Sequence, residues 1–126
     1  MKTVDAAISL VYAVLKDEEN GLEVPVYKYK KPTKLEHDEF VVINSLPINT
    51  GVLQKCIVNV NYYAKDLAPG IPDTPTLESG SSSVLGLLDG FSGSGSVVDF
   101  EQQQIEWDYA SSRHYSNLRF SVKLIN

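Results

Sequence analysis

Taken two residues at a time, the segment 53–64, LQKCIVNVNYYA, separates into two sets. Cys56, Val58, Val60, Tyr62 and Ala64 fall on one side, and Lys55, Ile57, Asn59, Asn61 and Tyr63 on the other. A period of two, rich in β-branched and aromatic residues, predicts a strand with one face in a core and one face wet. The second set places Ile57 and Tyr63 beside two amides, so that outward face is expected to suit contact as much as solvation.

The period changes elsewhere. Val4, Ala7, Ile8, Val11 and Leu15 recur at helical spacing, with Tyr12 and Val14 widening the stripe. A helix is expected over about 4–19, with Thr3 as N-cap and Asn20-Gly21 as the stop. Its wide stripe predicts a helix lying flat across a sheet and also meeting a neighbour. Residues 24–29, VPVYKY, alternate again, but Pro25 lacks the donor that a central strand needs, so an edge strand or strand start is expected. Lys28, Lys30, Lys31 and Lys34 then surround Pro32 before Glu36, His37, Asp38 and Glu39 reverse the sign. This loop reads either as a solvated mixed-charge segment or as one that docks an acidic neighbour.

Residues 40–46, FVVINSL, predict a strand, and 47–51 a turn that makes it antiparallel to the 53–64 strand. The proline-rich 68–75 is expected to be a crossover loop. Leu77, Val84, Leu85 and Leu88 share a helical stripe, with Thr76 a candidate cap and Asp89-Gly90 a candidate stop; Gly80 and three serines make this helix dependent on packing. Residues 97–100 and 104–109 predict one strand or two short ones, with Ile105, Trp107 and Tyr109 on one face. Residues 111–114 read as a turn, and Leu118, Phe120, Val122 and Leu124 as the inner face of a last strand. The expected class is α+β, a mainly antiparallel sheet of four to six strands with two helices packed on one face, in a single domain spanning 1–126.

With 43% hydrophobic and 21% charged residues, the composition is ordinarily globular. The net charge of -5 argues against a surface that grips a phosphate backbone. Asp5 and the charged run at 16–19 interrupt the first apolar segment, which reads as a mature cytosolic start rather than a signal peptide, and ten apolar residues do not cross a bilayer. Cys56 is the single cysteine and sits on the apolar set, so it reads as a buried hydrophobe. His37 and His114 lack metal-ligand spacing and are expected at the surface, no serine sits in a Gly-x-Ser-x-Gly elbow, and the glycine-rich 91–96 lacks the Gly-Lys-Ser/Thr close of a phosphate loop. No cofactor, metal or catalytic residue is assigned.

The layout resembles that of tail-terminator and tail-completion proteins of long-tailed bacteriophages. The resemblance rests on the helix VDAAISLVYAVL, the extended Val24-Pro25-Val26-Tyr27, the strand ending VNVNYYAKD, a helix ending near Leu88, and the final strand YSNLRF. It covers nearly the whole chain but contains no invariant signature, and related head-tail joining proteins share it. The resemblance implies a virion structural protein, assembled in the host cytoplasm from a phage or prophage, that is not an enzyme. It would form a ring, usually a hexamer, capping the tail-tube protein and meeting a head-completion or connector protein, with DNA only in passage and no membrane. Head-to-tail ring contacts need two different patches. The candidates are the edge residues Val24, Val26, Tyr27 and Tyr29 and the mixed face of Ile57, Asn59, Asn61 and Tyr63. A monomeric protein-binding module, recognising through 30–39 and 68–76, and a small enzyme with a scattered site remain as alternatives.

Overall fold

The computed structural model describes residues 4–34, 36–46, 55–93 and 95–124. The elements run α1 (Val4–Lys16), a 3₁₀ turn (Glu18–Asn20), β1 (Val26–Lys28), β2 (Glu39–Ser45), β3 (Lys55–Ala64), α2 (Thr74–Leu88), β4 (Ser92–Gly93), β5 (Ser96–Asp108) and β6 (Arg113–Leu124). The strands form one sheet in the order β1-β2-β3-β6-β5-β4. Every pairing is antiparallel except β1 with β2. The sheet curls into half a barrel, so the fold is α+β, as the alternating and helical periods imply.

Both helices pack on one face of the sheet. Ala7, Ile8, Val11 and Leu15 of α1 and Leu77, Val84 and Leu88 of α2 meet Val41, Ile43, Cys56, Val58, Val60, Leu118, Phe120 and Val122 in one core. The even-numbered side of β3 is therefore the side that meets the helices, and the inner set of β6 follows it through the register Val58↔Phe120 and Val60↔Leu118. Burying a side chain of this size is worth about 1.5–3 kcal/mol. That is what holds α2 in place despite its serines and glycines.

Gly80 of α2 has a specific reason. A Cβ at this position would run into the ring of Tyr62, whose hydroxyl donates to Glu39 Oε1 at 2.6 Å. Glycine thus lets helix and strand approach where alanine would hold them apart. The cap of α2 is Asp73, not Thr76: its carboxylate accepts from the Thr76 N–H at 3.2 Å and the Thr76 hydroxyl at 2.7 Å. Pro75 falls in the first turn, where a missing N–H costs nothing, so part of the expected loop is helix.

Other boundaries also move. α1 ends at Lys16, and the 3₁₀ turn carries the chain to Gly21, which has the left-handed φ of 74° expected of a stop. The two candidate segments at 97–109 are one strand, with a register shift between Phe100 and Gln102. That extra residue flips the parity, so Val98 and Phe100 share a face with Gln103, Ile105 and Trp107. Arg113 and His114 belong to β6, and the turn lies before them. The candidate cap Thr3 and the turn at 47–51 lie outside the described residues.

Candidate interaction surface

The face of the sheet away from the helices is where Ile57, Asn59, Asn61 and Tyr63 project. They divide there. Ile57 is half-buried, whereas Asn59, Asn61 and Tyr63 are each 7% exposed or less. The amides form a chain across three strands: Asn59 Nδ2 donates to Asn44 Oδ1 at 3.1 Å, and Asn117 Nδ2 donates to Asn61 Oδ1 at 2.6 Å and Asn59 Oδ1 at 3.4 Å. Buried amides are tolerated because they satisfy one another. Tyr63 stacks between Phe40, at a ring separation of 4.6 Å, and Tyr115, at 4.8 Å, and Tyr27 meets Phe40 edge-on. This concave face is thus spent mostly on internal contacts.

Charged groups finish the enclosure. Lys31 Nζ reaches Asp108 Oδ2 at 2.7 Å and lies 5.9 Å from the centre of the Tyr63 ring. The Arg113 guanidinium sits over Phe40 and donates to the carbonyls of His37 and Asp38. Tyr115 donates to Glu106 at 2.8 Å. Burial, with the neighbouring carboxylate charges of Asp108 and Glu106 and the nearby Tyr115, holds the Tyr63 phenol well above its ordinary value. Burial and the Glu106 bond push Tyr115 up to about 12. Burial likewise raises the Cys56 thiol. These groups stay neutral near pH 7 and offer neither base nor nucleophile. Among the described residues, no three His, Cys, Asp or Glu side chains gather as a metal site.

Of the edge residues singled out in the sequence, Val26 lies under α1 in the core and Val24 and Tyr27 are half-buried. Tyr29 is exposed, at a left-handed φ of 72°. β1 does form one border of the sheet.

A surface that brings together the 68–76 loop and the Ile105, Trp107 and Tyr109 set lies at one end of the sheet. Leu67, Ile71, Ile105, Trp107 and Tyr109 are all exposed, Leu67 at 67% and Tyr109 at 89%. Residues 65–70 with Trp107 and Ser112 line a cleft of about 580 Å³ there. The loop is fixed by bonds from the Leu67 N–H to the Ile71 carbonyl and from the Ile71 N–H to the Ala68 carbonyl. Asp66 anchors it to β6, accepting from the His114 N–H at 3.1 Å and meeting His114 Nδ1 at 3.0 Å. The His114 ring, half-buried rather than at the surface, meets Trp107 edge-on at 5.0 Å. Trp107 in turn meets Tyr109 edge-on. Large apolar side chains grouped at one end of a small domain make this a candidate contact surface. The two halves of this group are far apart in the chain, and only Ile105, Trp107 and Tyr109 share a sequence pattern.

No protein-family model matches the chain, and no curated protein matches it. Among solved structures, the chain is similar to one in a structure described as "Virion of native gene transfer agent (GTA) particle". The TM-score is 0.67 over 100% of both chains, at 16% sequence identity. At that identity the likeness is one of fold.

Proposed function

We propose that this chain is a structural protein of a phage-like virion, a tail-terminator or tail-completion subunit. It would assemble as a ring, with six copies the expected number, on the tail-tube protein and present its outer side to a head-completion or connector protein. The observation that carries this reading is the likeness of fold, over 100% of both chains, to a chain of a gene transfer agent virion.

The surface supports it in two ways. The exposed Leu67, Ile71, Trp107 and Tyr109 provide apolar contact area of the kind an assembling subunit needs. The β1 border with Tyr29 offers a second, different patch, as head-to-tail closure requires. The net charge of -5 suits a channel that DNA traverses without being held. The role needs no cofactor and no catalytic step.

Electron microscopy of the purified protein, alone and mixed with isolated tail tubes, tests the proposal. Rings at tube ends, and overlong tubes in particles lacking the protein, are the expected result. A protein that stays monomeric at high concentration and ignores tube ends would favour a monomeric binding module instead.

A further inference from the structure

Among the described residues, strand β5 has no strand partner on its outer side over most of its length. β4 covers only Ser96 and Val97. The remaining bonds on that side join Val98 to Gly90 and Phe91, and the Phe100 N–H to Asp89. Val98 turns both backbone groups away from β6. After the register shift that role passes to Gln103, Ile105 and Trp107, because strand backbone groups alternate in direction. Natural sheet edges are blunted by shortness, proline, charged side chains or bulges. β1, at the other border, has only three residues with Pro25 beside it; the longer run 101–108, EQQQIEWD, has no proline, and its blunting is limited to its acids and the register shift at its start.

Charge then selects what covers it. Asp99, Glu101, Glu106 and Asp108 lie on β5 without a base among them, whereas residues 28–34 carry Lys28, Lys30, Lys31 and Lys34 without an acid. Two β5 edges set side by side would place carboxylate against carboxylate, which destabilises pairing. At β1, the Pro25 carbonyl and the Tyr29 N–H bond across to β2, which leaves Val26 and the Lys28 N–H directed outward.

We propose that the β5 edge at 103–107 receives the β1 edge and the adjoining lysine segment of a second copy, so that the sheets of neighbouring subunits join head to tail. This rests on the ring reading above and names its contact. Lys30 and Lys34 are exposed, Lys31 being held by its own Asp108, and Ile105 and Trp107 add apolar area beside the backbone pairing. The two joined borders differ, so the contact is head to tail rather than two-fold, the kind that closes as a ring when the rotation between copies permits.

The test uses the full-length protein as an equal mixture of light and nitrogen-15 chains, assembled with tail tubes, coupled by a zero-length carbodiimide and read by mass spectrometry. Mixed-isotope links from Lys30 or Lys34 to Glu101 or Glu106 are expected. Rings whose mixed-isotope links all lie elsewhere overturn the edge contact and leave the ring reading standing. Two variants accompany it: Gln103→Pro, which removes an outward N–H, and Lys30→Glu with Lys34→Glu, which leaves β5 untouched. Each is expected to weaken assembly at least tenfold with an unchanged circular dichroism spectrum; should Gln103→Pro unfold, the lysine pair decides. Undiminished assembly of the lysine variant overturns the inference. A wild-type chain that is monomeric even with tubes present overturns both the ring and this contact.

Discussion

Lys31 and Asp108 form an ion pair of 2.7 Å that links the loop after β1 to the far end of β5, across four strand pairings of the sheet. Ser111 donates to the same carboxylate oxygen at 2.6 Å. The pair closes over Tyr63, so it ties the curl of the sheet to the burial of its polar face.

Burial by itself would raise the Asp108 carboxyl. The bonds from Lys31 and Ser111, the Lys31 charge and the Ala110 backbone outweigh it and hold the group below its ordinary value of 3.8. A depressed carboxylate contributes stability that is present above that ordinary value and lost as the pH falls further, through the folded-state value. Asp108→Asn is therefore expected to cost about 1 kcal/mol near pH 7, or about 3–6 °C in Tm. The gap from wild type should close below about pH 4, as followed by thermal melts across pH.

Gly80→Ala pits helix propensity against space. Alanine gains about 1 kcal/mol in a helix interior, but its methyl would meet the Tyr62 ring, and overpacking costs about 1–3 kcal/mol. The expected net effect is destabilisation, relieved when Tyr62→Leu accompanies it; a urea-melt double-mutant cycle checks the coupling.

Asn117→Ala removes the donor that serves both Asn59 and Asn61. Leaving buried acceptors unmatched costs about 1–3 kcal/mol. Asn117→Ala should thus lower the urea midpoint clearly more than Gln104→Ala, since Gln104 is exposed and its amide donates to the neighbouring Glu106 carboxylate at the surface.

Tyrosine ionisation gives an alkaline signature. Tyr62, Tyr63 and Tyr115 are raised above the ordinary 10.0, chiefly by burial, with Tyr115 at about 12. A raised phenol favours the folded state fully below pH 10 and loses that contribution as pH rises from there toward the folded value. Absorbance titration near 295 nm should show part of the seven tyrosines lagging, and Tm should fall steeply above pH 10.

Much of the architecture was legible because it is local. The alternation in β3 and β6 and the stripe of α1 follow from side-chain periods that hold in any packed sheet, and the edge position of β1 follows from the donor that Pro25 lacks. Asp73 is hidden as a cap because Pro75 opens helices as readily as it ends them, so the proline-rich run conceals the helix start. The parity of β5 was hidden for another reason: a single inserted residue between Phe100 and Gln102 has no distinctive composition.

The contact surface divides along the same line. The alternation of 53–64 alone determined that Ile57, Asn59, Asn61 and Tyr63 share the face opposite the core. Whether that face meets solvent, a partner or the protein itself depended on the curl of the sheet and on Lys31 reaching Asp108, contacts between segments distant in the chain. Likewise the alternation around Trp107 placed it on a face with Ile105 and Tyr109, but only the β3 to β6 register, which seats Asp66 beside His114, set it on one cleft with Leu67. Periodicity is carried by neighbours along the backbone, whereas exposure is decided by which distant segments the fold brings to cover them.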